Sequence, residues 1–172
     1  MLMFALFVPQ TVYAGNQIAG HSAVLAHSKG NDTISHERSI QTDAIKRVLS
    51  RNNSPMVGEA ENFVIVAHAM DLDPYMLPAI AGVESGFGRA MIQGTHNPFG
   101  WNVGRTPFPT WSDGIATVGT ALRYKYIDRG ADSLDAIGHK YAGGSTTWAP
   151  KVRSYIAQFE REEARIRRMS ML

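Results

Sequence analysis

Glu84 is the first charged side chain after Asp73, at the end of a segment reading Pro-Tyr-Met-Leu-Pro-Ala-Ile-Ala-Gly-Val. It falls three residues after Ala81, four after Ile80 and seven after Leu77, so at helical spacing it continues an apolar stripe. A carboxyl partly withdrawn from water favours its protonated form, the state a general acid needs near neutral pH. Ser85, Gly86 and Gly88 follow, and the glycines permit a tight turn that would leave the carboxyl at the mouth of a cleft. Position alone fits equally well a helix-end carboxylate paired with Arg89 or another cation. For a second carboxylate the chain offers Asp113, Asp128, Asp132 and Asp135; two stand where helices should start and two on exposed faces, so none is assigned. Tyr141 follows Leu134 and Ile137 at helical spacing, which suits a core aromatic with its hydroxyl at the rim as well as a site hydroxyl.

The elements that must position these groups read as helices, so the expected class is mainly α. Thr42-Asp43 is expected to cap a helix holding Ile45, Val48 and Leu49, and Ser54-Pro55 to begin one whose stripe is Met56, Ala60, Phe63, Ala67 and Met70. The Glu84 helix should start after Asp73-Pro74 and run to about Ser85, its regular part delayed to Pro78. Gly86 to Trp111 has no helical period. It is expected to be loop with a short β-hairpin beside the cleft, pairing Phe99–Val103 with the proline-bearing edge Thr106–Trp111. Ser112-Asp113, Asp132-Ser133 and Thr147 are the expected starts of three further helices, with Ile115, Val118, Leu122 and Tyr126, then Ile137, then Val152 and Phe159 facing inward.

With 172 residues, 44% of them hydrophobic, the chain can bury one sizeable core. A net charge of +2 without a basic block does not imply nucleic acid. The absence of cysteine rules out disulfides and thiolate metal sites, and the six histidines lack paired ligand spacing, so neither metal nor cofactor is expected. Met1 to Val8 is an apolar run ending in Pro9-Gln10-Thr11-Val12-Tyr13-Ala14, which resembles a signal peptide, although no Lys or Arg precedes Lys29. The expected organisation is therefore a leader over 1–14, a polar linker over 15–40 and one domain over 41–169, in a secreted, periplasmic or cell-envelope protein not inserted in a membrane once the leader is removed.

Four stretches occur in an order that resembles the bacterial glucosaminidase family, whose members act on peptidoglycan and share a lysozyme-like helical fold. Leu77 to Gly88 is similar to its catalytic helix, Asn97-Pro98-Phe99-Gly100-Trp101 to its Asn-Leu-Phe-Gly-Ile segment, and Phe108 to Ile115 to its Phe-x-x-Tyr stretch. Tyr141-Ala142 followed by Trp148-Ala149-Pro150-Lys151-Val152 is similar to its closing motif. Two departures stand out: Gly143-Gly144-Ser145 where Thr-Asp is usual, and Trp148 where tyrosine is usual.

The resemblance implies a monomeric endo-β-N-acetylglucosaminidase acting on peptidoglycan glycan strands, with Glu84 and Tyr141 catalytic. Ser85, Asn97, Phe99, Trp101, Trp111 and Trp148 would meet the sugar, flat rings suiting the apolar faces of pyranoses. A 2-acetamido group can assist its own cleavage, so one carboxylate suffices chemically. A lytic transglycosylase giving 1,6-anhydro-muramic products, and a non-catalytic glycan-binding envelope protein, are the alternative expectations.

Overall fold

A computed structural model describes residues 17–171, and side chains from residue 32 onward. The leader-like stretch 1–14 lies outside the described residues. Among those described, six α-helices follow one another: α1 Gln17–Arg51, α2 Ala60–Ala69, α3 Met76–Ser85, α4 Trp111–Ala121, α5 Leu134–Tyr141 and α6 Trp148–Ser170. The mainly α class is as the periodicity predicts. A 3-10 turn, Val57–Glu59, leads into α2, and a π-helical turn, Leu122–Tyr126, continues α4 before a 3-10 turn at Ile127–Arg129. None of the described helices is long and apolar enough to cross a membrane.

The chain divides into two units, residues 1–36 and 37–172. In the first, the described backbone is helical, with Ser35 Oγ donating to Asp32 O at 3.0 Å and Ile34 exposed. The second holds the core. There α1 buries Ile40, Ala44, Ile45, Val48 and Leu49, α2 buries Ala60, Phe63, Val64 and Ala67, and α6 buries Val152 and Phe159. This apolar face decides where α1 packs.

The helix expected to start at Thr42-Asp43 is instead already running there, and the polar stretch from Gln17 on is part of α1 rather than irregular linker backbone. Contacts near the expected cap anchor helical backbone: Gln41 Nε2 donates to Glu37 Oε1 at 3.3 Å, while Gln41 Oε1 meets His68 Nε2 at 2.8 Å.

Helix α3 occupies the middle of the second unit. Every residue from Leu77 to Gly82 is buried, as befits a charge-free segment packed by α2, α4 and most extensively α6. It starts at Met76, two residues before the expected delay, because Pro78 sits in the first turn, where a backbone N–H has no intrahelical acceptor to lose. At its other end Gly86 adopts φ 56°, and the N–H groups of Gly86 and Phe87 return to Gly82 O and Ala81 O at 3.1 Å. Phe87 itself has φ 63°, a strained value for a side chain this large. Its ring is buried edge-on against Tyr155 and Phe159, contacts that hold the conformation in place.

Two local expectations are corrected. No strand forms among the described residues. Gly100, Asn102, Val103 and Gly104 have φ between 52° and 74°, incompatible with the extended backbone a hairpin requires, so Phe99 to Arg105 runs in turns and the irregular chain continues to Thr110. Helix α4 is capped by Thr110, not by Ser112-Asp113. Thr110 Oγ1 accepts from Asp113 N and Asp113 Oδ2 accepts from Thr110 N, both at 3.1 Å, a reciprocal box that makes Asp113 the third helical residue. Ser133 caps α5 as expected, whereas Thr147 stands at the start of α6 without a side-chain cap bond.

Candidate active site

Glu84 projects from the last turn of α3, half-buried, toward the start of α6. Trp148 Nε1 donates to its Oε1 at 2.7 Å. The indole itself is buried, in a space that Gly138 leaves open: a Cβ on Gly138 would come within 2.7 Å of the ring. On the other side, a Cβ on Gly100 would come to 3.1 Å from Glu84 Oε2, so glycine there leaves room for the carboxylate. Oε2 takes no hydrogen bond from another described residue, and no buried side-chain oxygen among them lacks a partner, so this oxygen reaches solvent. It borders a cavity of about 440 Å³ lined by Glu84, Ser85, Ala90, Met91, Ile92, Asn97, Gly100, Val103 and Gly104. Glu84 is the one ionisable group in that lining.

Burial pushes the Glu84 carboxyl above its ordinary pKa, and the Trp148 N–H, which favours the anion, opposes the shift only in part. The pairing with Arg89 that position alone allowed does not form: Arg89 Nε donates to Gly86 O at 2.9 Å, and Glu84 joins no ion pair among the described residues. Among the described residues, no second carboxylate lines the cavity. Asp113 closes its capping box, Asp128 pairs with Arg123 at 3.1 Å, Asp135 takes both terminal nitrogens of Arg153 at 2.9 and 3.0 Å, and Asp132 is exposed in the turn before α5.

Tyr141 closes a neighbouring hollow of about 330 Å³, lined by Gly100, Trp101, Asn102, Val103, Tyr126 and Tyr141. Its ring is the hub of an aromatic cluster, with centroids 5.4 Å from Trp148 and 6.1 Å from both Trp101 and Tyr126. Its hydroxyl donates to Phe99 O at 2.6 Å, and burial, then the nearby Glu84 charge, push its pKa upward. The proton on Tyr141 is therefore held by the loop; the oxygen keeps acceptor capacity.

The remaining predicted residues divide. Trp101 is half-buried and exposes part of its ring to the hollow. Trp148 is buried with its N–H on the Glu84 carboxyl, which leaves little ring face open to the cavity. Phe99 is fully buried and is no platform either; only its carbonyl takes part, through Tyr141. Trp111 lines neither hollow and packs edge-on against His96 at 5.1 Å. Ser85 and Asn97 border the cavity but spend their polar atoms on its walls. Ser85 Oγ lies 2.7 Å from Pro98 O and 3.1 Å from Ala81 O and accepts from Gly88 N. Asn97 Nδ2 donates to Trp101 O and Thr106 O while Oδ1 accepts from Trp101 N. Together they tie the turns of 97–106 to α3, which fixes where Glu84 points.

Tyr126 is the residue the sequence pattern misses. It fits the apolar period of Ile115, Val118 and Leu122, but the π-helical turn re-aims it at Tyr141. The polar run Arg123-Tyr124-Lys125 around it was the available signal that this turn is not ordinary core. Met91, Ile92 and Val103 give the Glu84 cavity an apolar rim that no periodicity foretold. A third hollow, also about 440 Å³, lies between α1 and α6 and is lined by Asp43, Lys46, Arg47, Ser50, Arg51, Glu162 and Arg165. Of its two carboxylates, Glu162 is engaged by Arg47 and Arg51, and no aromatic residue lines it. No group of three His, Asp or Glu side chains with metal-binding geometry occurs among the described residues.

No protein-family model matches the chain, and no curated protein matches it. The functional reading therefore rests on the residues themselves.

Proposed function

We propose that this chain is a glycoside hydrolase of the bacterial envelope, an endo-β-N-acetylglucosaminidase with a lysozyme-like fold that cuts peptidoglycan glycan strands with Glu84 as general acid. The observation that carries the proposal is the state of Glu84: half-buried, without a cation, restrained by a neutral N–H on one oxygen and open to an apolar-rimmed cavity on the other. Such a carboxyl holds its proton to higher pH than an ordinary glutamate and presents it where a leaving oxygen would sit. The ordered likeness of Leu77–Gly88, Asn97–Trp101 and Trp148–Val152 to the glucosaminidase family supports the same reading.

With one carboxyl in the lining, the substrate supplies the second group. Glu84 gives its proton to the glycosidic oxygen as the bond to the anomeric carbon breaks, and the 2-acetamido oxygen bonds to that carbon from the opposite face. Water then attacks the same carbon, the acetamide oxygen leaves, and the released proton returns to Glu84. Trp148 is a positioning residue for the acid. Trp101, Tyr126 and Tyr141 provide the wall on which an apolar pyranose face rests. The leader-like residues 1–14 accord with action outside the cytoplasm.

Digestion of purified peptidoglycan sacculi followed by mass analysis tests this. Reducing N-acetylglucosamine ends, absent with Glu84→Gln, are the expected products. Ends carrying 1,6-anhydro-muramic acid would replace hydrolysis by lytic transglycosylation, in which the muramic hydroxyl attacks in place of water. Glycan binding without cleavage in either protein would leave a non-catalytic envelope protein.

A further inference from the structure

Beyond the cavity at Glu84, the surface continues as a line of hollows that share their walls. Gly100 and Val103 border both the Glu84 cavity and the Tyr141 hollow, and Trp101 borders both the Tyr141 hollow and a further one of about 420 Å³. That last hollow is lined by Trp101, Ala116, Thr117, Thr120, Ala121, Tyr124 and Lys125. Its floor is one face of α4, where Ala116, Thr117 and Thr120 are small and exposed, and its walls are two aromatic rings.

Two tyrosines of the π-helical turn Leu122–Tyr126 border these hollows. Here Tyr126 enters the Tyr141 hollow while Tyr124, 57% exposed, flanks the next one, with Trp101 common to both. A hollow lined by an exposed and a half-exposed aromatic ring, small residues and two hydroxyls has the character of a sugar site: apolar ring surface to stack on and hydroxyls to bond. Lys125, exposed and with no ion pair among the described residues, adds a positive charge at its edge. The neighbouring Arg123 is committed to Asp71 and Asp128.

We propose that the hollow between Trp101 and Tyr124 is a distal saccharide subsite for a pyranose bearing a carboxylate substituent, which pairs with Lys125. The subsite rests on the glycosidase reading above and extends it: substrate lies along the line from Glu84 past Tyr141 to Tyr124, so affinity rises with chain length and with acidic substituents.

Calorimetry on the Glu84→Gln chain, which should bind without cutting, tests the subsite. The probes are a neutral N-acetylglucosamine disaccharide and hexasaccharide, and a peptidoglycan hexasaccharide carrying free muramic carboxylates. Tyr124→Ala should weaken both hexasaccharides by roughly fivefold to tenfold and leave the disaccharide unchanged. Thr120→Trp, which fills the floor, should do the same by occlusion, and unaltered thermal melting shows that neither variant acts through the fold. Lys125→Met should weaken only the carboxylated chain, by about threefold to fivefold. Hexasaccharide binding indifferent to Tyr124→Ala and Thr120→Trp would overturn the subsite while leaving the glycosidase reading intact. Equal losses for neutral and carboxylated chains with Lys125→Met would overturn the carboxylate assignment. Failure of every glycan to bind the Glu84→Gln chain would overturn the glycosidase reading, and the subsite with it.

Discussion

Two glutamates withdrawn from water, Glu84 at the end of α3 and Glu162 in the middle of α6, have opposite electrostatics. Glu162 is the more buried, at 5% exposure, and burial works to raise its pKa; yet Arg51 at 2.6 Å and Arg47 at 3.4 Å outweigh it and hold the carboxyl below its ordinary value. Glu84 has only the neutral Trp148 N–H, and its pKa stays raised. Burial alone therefore does not distinguish an acid from a structural anion; the charge of what stands beside it does. Helix α6 serves both, meeting Glu84 with the indole of its first turn and placing Glu162 four turns on, against α1.

The largest expected difference between the two is in rate. Glu84→Gln should lower cleavage of sacculi by about 10³-fold, while Glu162→Gln leaves it within about twofold at low temperature, as turbidity clearance would measure. Stability should show the reverse. Glu162→Gln should cost about 2 kcal/mol at neutral pH in urea unfolding, since it removes hydrogen bonds to a charged group but leaves half-exposed arginines that water can reach. Because the Glu162 pKa is lowered on folding, its stabilisation is present above the unfolded glutamate value of about 4.3 and is lost as pH falls through the folded value, so wild type and variant should converge in strong acid.

Trp148→Phe should cost about 1 kcal/mol and move the alkaline limb of the pH-rate profile to higher pH, because the N–H that favours the Glu84 anion is gone. An unchanged limb would mean that Glu84 does not set it. The smallest effect is the stability of Glu84→Gln. A pKa raised on folding contributes stability that is full below the unfolded value and lost as pH rises through the folded one, so wild-type protein carries a penalty at pH 7 that the variant lacks. Thermal melting should show Glu84→Gln slightly the more stable at pH 7 and not at pH 3.

The α3 helix was legible because an apolar run of ten residues ending in Glu-Ser-Gly leaves few alternatives: buried on all sides, ended by a glycine turn, its one charge at the rim. The turns of 97–106 were not. Phe99 to Val103 alternates like a strand, but Asn97 closes two side-chain bonds onto Trp101 and a third onto Thr106, and left-handed residues at Gly100, Asn102, Val103 and Gly104 curl the segment back. These are tertiary choices that no periodicity carries. The same limit applies to the site. A tryptophan read as a platform donates to the Glu84 carboxyl, a serine and an asparagine read as sugar contacts brace the wall, and Tyr126, read as core, joins the aromatic cluster. Glu84 could be singled out from sequence, whereas its environment depends on residues as far as 64 positions away in the chain.

The most direct measurement is a ¹³C NMR titration of the side-chain carboxyls in protein labelled at glutamate, with Glu84→Gln and Glu162→Gln assigning the two resonances. The account predicts a Glu84 midpoint above, and a Glu162 midpoint below, that of the exposed glutamates in the same sample. A Glu84 midpoint at or below theirs would contradict the role of general acid and, with it, the contrast on which the functional reading rests.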